Sequence, residues 1–336
     1  MLSNHGNTML LVQRFHGWGR RSRPTARYAG LALLSCAVWM GVGGAPASQE
    51  SGTPVPPEHQ PYANARSVVN QPQAELIKQY PELDEVEFAQ SQEELPLLLE
   101  KVGEGVEALF RDFVNTASNE RITQDVGRPP VFSPTLTSTC NYLVLAQRGE
   151  KMITLEEYRT NDKGEPIDQS RYYLLTSGFA SVPLFFHPLY QPDSAFRYIG
   201  RQAKGRRLHI IGFAQRPEAV GLIGHFYFMG RPAVILSQGL AWIDPDTCRI
   251  VRMRTDLLAP RYDILLARQT SEVELGEVSF EGAPRPLWLP RKVVVTIDWQ
   301  HTIYRNQHRY RDYKLFSVET REDKKEIVRP PGQIPQ

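Results

Sequence analysis

The sequence predicts an α+β protein in which a helix packs on a long antiparallel β-meander. Three observations predict it. Apolar residues recur at helical spacing before residue 114, and from Thr139 onward the pattern alternates with period two. No long helical pattern interrupts the alternating part. Strands so close together must mostly pair antiparallel, because a parallel crossover needs a dozen or more residues.

The N-terminal element is an address. The first 47 residues contain no Asp or Glu and five arginines, Arg14, Arg20, Arg21, Arg23 and Arg27. An apolar stretch from Ala29 to Gly44 and the small-residue site Ala45-Pro46-Ala47 follow. This is the pattern of a signal peptide cleaved near Ala47. The apolar run is short of the ~20 residues that span a bilayer, so no transmembrane span is expected in the mature chain. The protein is expected to be exported, to the periplasm or beyond. The leader also carries the basic balance. Without its five arginines, 34 basic residues face 37 acidic ones, which removes the charge argument for nucleic-acid binding.

Residues 48–72, rich in Pro, Ser, Gln, Asn and Glu, read as a flexible linker, and residues 326–336 as a loose tail. Residues 73–130 read as a helical preface that packs on the sheet. A short helix is expected around Gln73–Gln79. In "SQEELPLLLEKVGEGVEALFRDF", residues Leu95, Leu98, Leu99, Val102, Val106, Leu109, Phe110 and Phe113 draw one apolar face. Ser91 and Glu94 have capping-box spacing, and Pro96 suits a first turn. Gly103 and Gly105 lie off the stripe.

Residues 131–325 read as the sheet. Strands are expected at Tyr142–Gln147, Met152–Arg159, Phe196–Arg201, Leu208–Gln215, Phe226–Met229, Ala233–Leu236, Gly239–Asp244, Cys248–Asp256, Gln269–Val278, Leu287–Trp299, Thr302–Tyr310 and Lys314–Glu319, with turn signals such as Asp244-Pro245-Asp246 between several of them. In the hairpin "LAWIDPDTCRIVRMRTDL" Val251, Met253 and Leu257 oppose Arg252, Arg254 and Asp256. Further on, Tyr304, Asn306, His308 and Tyr310 alternate with Arg305, Gln307, Arg309 and Arg311. Such strands suit a sheet with one wet face.

Few residues carry a chemical signature. The six histidines after the leader form no metal-ligand spacing, and neither a Gly-x-Ser-x-Gly elbow nor a glycine-rich phosphate loop is present. No enzyme, cofactor or metal is expected on this basis. Cys140 and Cys248 are either a disulfide or two buried thiols. Two aromatic stretches, "LLTSGFASVPLFFHPLY" and "GHFYFMG", suit an adaptable apolar pocket, a partner-docking patch or ordinary core.

The exported helix-plus-meander order and the hairpin Ala241-Trp242-Ile243-Asp244-Pro245, followed by Cys248-Arg249-Ile250-Val251-Arg252, resemble the LolA/LolB/LppX superfamily of bacterial envelope proteins over roughly Glu94 to Val318. The resemblance implies an unclosed antiparallel half-barrel covered by the N-terminal helix. It also implies an apolar or lipid-like ligand in the hollow, with Phe185, Phe186, Phe226, Phe228, Met229, Trp242 and Trp299 as candidate lining. The alternatives are an envelope module that docks a protein partner through Leu174–Tyr190 around a solid core, and an envelope hydrolase.

Overall fold

The computed structural model describes residues 54–149, 153–167, 178–222, 224–228, 231–281 and 285–316. The expected signal peptide and tail lie outside the described residues. Two α-helices, α1 (Gln73–Gln79) and α2 (Leu95–Arg111), accompany fourteen strands among the described residues. The strands are β1 (Val86–Phe88), β2 (Thr116–Arg128), β3 (Val131–Phe132), β4 (Leu136–Arg148), β5 (Ile153–Thr160), β6 (Ser194–Gln202) and β7 (His209–Gln215). They continue as β8 (Gly224–Phe228), β9 (Arg231–Ile235), β10 (Ser237–Ile243), β11 (Ile250–Leu257), β12 (Leu266–Val278), β13 (Leu287–Trp299) and β14 (Thr302–Leu315).

Twelve strands form one antiparallel sheet in the order β1-β6-β7-β10-β11-β12-β13-β14-β2-β4-β5, with β3 beside β2; β8 and β9 form a separate hairpin. The end strands β1 and β5 are not paired to each other among the described residues, so the sheet is an unclosed barrel. The run β10 to β14 is the expected meander. β14 then pairs with β2, placing Tyr310 opposite Glu120 and His308 opposite Ile122. The preface expected over 73–130 therefore contains an inner strand, β2.

The front face of the sheet carries the main core. Met253, Val273, Val293, Val295 and Ile297 point to it from successive strands, and Leu98, Val102, Val106 and Phe110 of α2 cover them. α2 begins at Leu95 with Pro96 in its first turn, as the spacing predicts. The capping box is not formed: Glu94 takes the cap position without a side-chain cap, and its carboxylate receives Arg201 Nη2 at 2.7 Å. Gly103 is also not idle. A Cβ there would lie 2.8 Å from Gln191 Nε2 and 3.3 Å from the Phe186 carbonyl, so the glycine admits the strap Val182–Gln191 against α2.

The back face is wet only in part. The expected flexible linker is ordered from Pro57, because it supplies the apolar cover that the back of β7, β10 and β11 requires. Tyr62 and Val68 are fully buried in it, together with Leu76, Tyr80 and Leu83. The charged side of the β10–β11 hairpin is thereby enclosed. Arg254 stacks on Tyr80, 4.7 Å from the ring centre, and pairs with Asp256 and Glu82 at 3.0 Å each. Arg252 stacks on Trp242 at 4.2 Å. A bulge between Trp242 and Ile243 shifts the register, and Val251 packs with this back cluster rather than beside Met253.

Candidate functional site

The predicted lining residues do not share one wall. Phe185 and Phe186 lie in the turn Val182–Phe186, under α2, and are packed solid. Phe185 meets Phe213 at 4.9 Å between ring centres, and Phe186 meets Phe196 at 5.3 Å and Phe213 at 5.8 Å. Phe226 is buried on the same front face against Trp299, 5.9 Å away, whose Nε1 donates to the Ile264 carbonyl at 3.1 Å. Trp242 belongs to the other face: on β10, Ala241 and Ile243 point to the front core, so its indole falls in the back cluster. Met229 and the side chain of Phe228 lie outside the described residues. The docking patch expected over Leu174–Tyr190 is mostly internal. Phe179, Leu184, Phe185 and Phe186 are buried, Leu189 is exposed, and residues 174–177 lie outside the described residues.

An apolar cleft of about 270 Å³ opens beside these residues, between α2 and the end of the β10–β11 hairpin. Val102, Val106 and Leu109 form its helical wall, and Ile250, Leu275, Leu287 and Trp288 its sheet wall. Gly105 also lines it, and a Cβ there would meet nothing within 4 Å. The indole of Trp288 is fixed by donation from Nε1 to the Ile250 carbonyl at 2.6 Å. Two guanidinium groups stand at the mouth. Arg249 lies 5.1 Å over the Trp288 ring and 3.4 Å from Glu277; Arg285 lies 3.8 Å from Asp112. The hairpin turn sets this rim. Asp244 Oδ1 accepts from the Asp246 and Thr247 amides at 3.2 and 3.0 Å and from the Thr247 hydroxyl at 3.0 Å, and Cys248 follows with a φ of +53°.

The second candidate is polar and closed. On the front face of β14, β2, β4 and β5, Glu120 accepts from Arg159 Nε at 2.6 Å and Nη2 at 3.0 Å, from His308 Nδ1 at 2.7 Å and from the Cys140 thiol at 3.3 Å. All four side chains are buried. Burial pushes the Glu120 carboxyl up, but the Arg159 guanidinium and the His308 bond outweigh it and hold it well below the usual carboxylate range. Burial lowers His308, with Arg159 adding to the effect against the pull of Glu120, so the imidazole is neutral and Nδ1 carries the proton that it donates. Burial also raises the Cys140 thiol, and neighbouring Glu120 raises it further, which keeps the sulfur protonated. Phe179 lies over His308 at 5.3 Å, held by donation from the Gly178 and Ala180 amides to Glu157 at 2.8 and 2.7 Å.

No family model matches the chain, and no curated protein matches it. Solved structures do. The chain is similar to a DUF1329 family protein from Desulfovibrio piger ATCC 29098 and to a putative outer membrane lipoprotein-sorting protein domain from Vibrio parahaemolyticus. Each is 9% identical, with a TM-score of 0.34, over 67% of this chain and 94% of the other. It is also similar to a LolA superfamily protein from Nitrosomonas europaea, 14% identical with a TM-score of 0.29 over the same shares. The Nitrosomonas protein is named for a superfamily that the sequence resembles. At such scores they bear on no individual residue.

The two cysteines are free. Cys248 follows the β10–β11 turn and Cys140 lies on β4, with β12, β13, β14 and β2 between them in the sheet, so the disulfide is not formed. Gly105 and Trp288 are not singled out by the sequence, which offers them only as an off-stripe glycine and as one residue of the strand Leu287–Trp299. Glu120, Cys140 and Arg159 are likewise not legible as one network, because β2 has no strand pattern in the sequence; β2, β4 and β5 are neighbours, and His308 joins them through the β14–β2 pairing. What the arrangement offers chemically is an open, mainly apolar slot with two ion-paired arginines at its rim, and a buried ion pair beside a protonated thiol.

Proposed function

We propose that this chain is an exported, non-enzymatic envelope protein that holds the aliphatic part of a lipid-like ligand in the cleft between α2 and the β10–β13 wall. The observation that supports the reading most is that cleft, with apolar walls, an open Gly105 and two arginines at the mouth. Apolar area buried there contributes about 25 cal/mol per Å², and Arg249 and Arg285 receive an acidic head group. At about 270 Å³, the slot falls near the lower end of the ~300–1,000 Å³ typical of small-molecule sites, which suits one acyl chain rather than several.

The test is native mass spectrometry of chain Ser48–Gln336 from an exporting host, before and after organic extraction, with hexadecanoate titration of the stripped protein. A fatty acid or lipid lost on extraction, and hexadecanoate binding abolished by Gly105→Leu but retained by Lys101→Gln, are expected. A clean apo mass together with no hexadecanoate binding would overturn the reading and favour the protein-docking module with a solid core.

A further inference from the structure

Across β11, β12 and β13, charged side chains facing one another are of opposite sign, whereas Arg309 on β14 faces Lys292 as well as Arg121. Arg252 on β11 pairs with Glu272 on β12 at 2.8 Å, Lys292 on β13 with Glu274 at 2.7 Å, and Arg305 stands opposite Asp125 in register. The back of β14, β2 and β4 breaks this rule. Arg309 and Arg121 are register partners with both side chains exposed, and Arg311 is two residues along the same face of β14. Like charges directly opposite one another destabilise a sheet. Among the described residues none of the three arginines has a carboxylate within 4 Å.

Beside these arginines stand neutral donors and, at the edge, two carboxylates. Arg121 stands opposite Thr139 on β4, Arg311 opposite Asn119 on β2, and Gln307 opposite Thr123. Together they line an open depression of about 660 Å³ on a part of the back face that the N-terminal cover does not reach. Asp162 and Asp312 stand at its edge, and Asp312 is already occupied as an acceptor from Asn119 Nδ2 at 3.0 Å.

We propose that this depression is a binding site for a phosphate-bearing ligand, with Arg121, Arg309 and Arg311 as its charged floor and Asn119, Thr139 and Gln307 as further donors. Guanidinium groups match phosphate oxygens bidentately, and the bound anion relieves the arginine–arginine repulsion. The site lies on the opposite face of the sheet from the apolar cleft and does not depend on what that cleft holds. A soluble phosphate and a lipid phosphate share this chemistry.

The experiment has two arms. Calorimetry with pyrophosphate at low ionic strength reports soluble phosphate. Flotation with phosphatidylcholine vesicles, with and without phosphatidic acid, reports a lipid phosphate. Binding in either arm that weakens at least about tenfold in Arg121→Gln and in Arg309→Gln, and is unchanged in Lys101→Gln, is expected; the arm that responds identifies the source. All of these side chains are exposed, and melting curves check that the variants stay folded. No binding in both arms, or binding that the two arginine variants leave intact, overturns the proposal.

Discussion

Glu120 is a charge in a buried place, and its three partners make that tenable. Removing one side of a buried ion pair leaves the other uncompensated, at about 3–5 kcal/mol. Glu120→Gln is therefore expected to lower the unfolding free energy by that amount in urea titration, whereas replacing Glu120 and Arg159 together by Leu and Met costs much less. The same network sets an acid limit. The unfolded carboxyl titrates near ~4.3 and the unfolded imidazole near ~6.5, and both folded groups titrate lower. The unfolded chain thus binds more protons as the pH drops. The His308 share of stability is full above about 6.5 and the Glu120 share above about 4.3; each is lost as the pH falls through its folded value. Midpoints of urea unfolding at pH 7, 5 and 4 should decline in that order, and a His308→Phe variant should lose the first part of the decline. The thiols separate in the same way. In chain Ser48–Gln336, Cys248 on the cleft rim should react with a thiol reagent in the folded protein, and buried Cys140 only on unfolding.

At the scale of elements, α2 was legible and β2 was not, and the reason is physical. α2 buries a stripe of Leu, Val and Phe, which writes the helical period into the sequence. β2 buries Thr116, Ser118, Glu120, Ile122 and Gln124. Its inward face is polar because it holds the ion-pair network, so the alternation that marked Val293, Val295 and Ile297 in β13 is absent. A strand that carries a polar site loses the signature by which strands are recognised. The two glycines of α2 separate along the same line. Gly105→Ala meets open space and should raise helix stability by up to ~1 kcal/mol. Gly103→Ala must displace Gln191, which donates to the Leu99 and Phe186 carbonyls at 3.0 and 2.8 Å, and should cost about 1–3 kcal/mol. Thermal melts of the two variants should shift in opposite directions.

At the scale of the molecule, the sheet is a sandwich filling over half its width and a single layer over the rest. Front core, sheet and N-terminal cover stack at β7, β10 and β11, while no described residue covers the back of β14, β2 and β4 in the same way. The composition of residues 48–72 argued for a spacer, since prolines and amides dominate it. Two of its few apolar residues, Tyr62 and Val68, nonetheless find fully buried positions, and composition does not register where single residues land. The candidate lining residues are scattered over both faces for a related reason. Aromatic content identified what is buried, but only the shape of the assembled walls identifies what is left open. Deleting residues 54–83 is expected to uncover Trp242 and Leu240, so that the truncated protein binds a hydrophobic dye and melts earlier than the full chain.

The pairing of β14 with β2 has a consequence in time. A chain made from its N-terminus holds β2, β4 and β5 early, yet the neighbour that joins them to β13 is the last strand in the sheet. Until Thr302–Leu315 has been synthesised, two half-sheets coexist, each with an unsatisfied margin of amides and carbonyls. Completion of the sheet is thus postponed to the final stretch of translation. It also means that a premature stop upstream of Thr302 leaves one chain with two open half-sheets, prone to aggregate, rather than a smaller working protein.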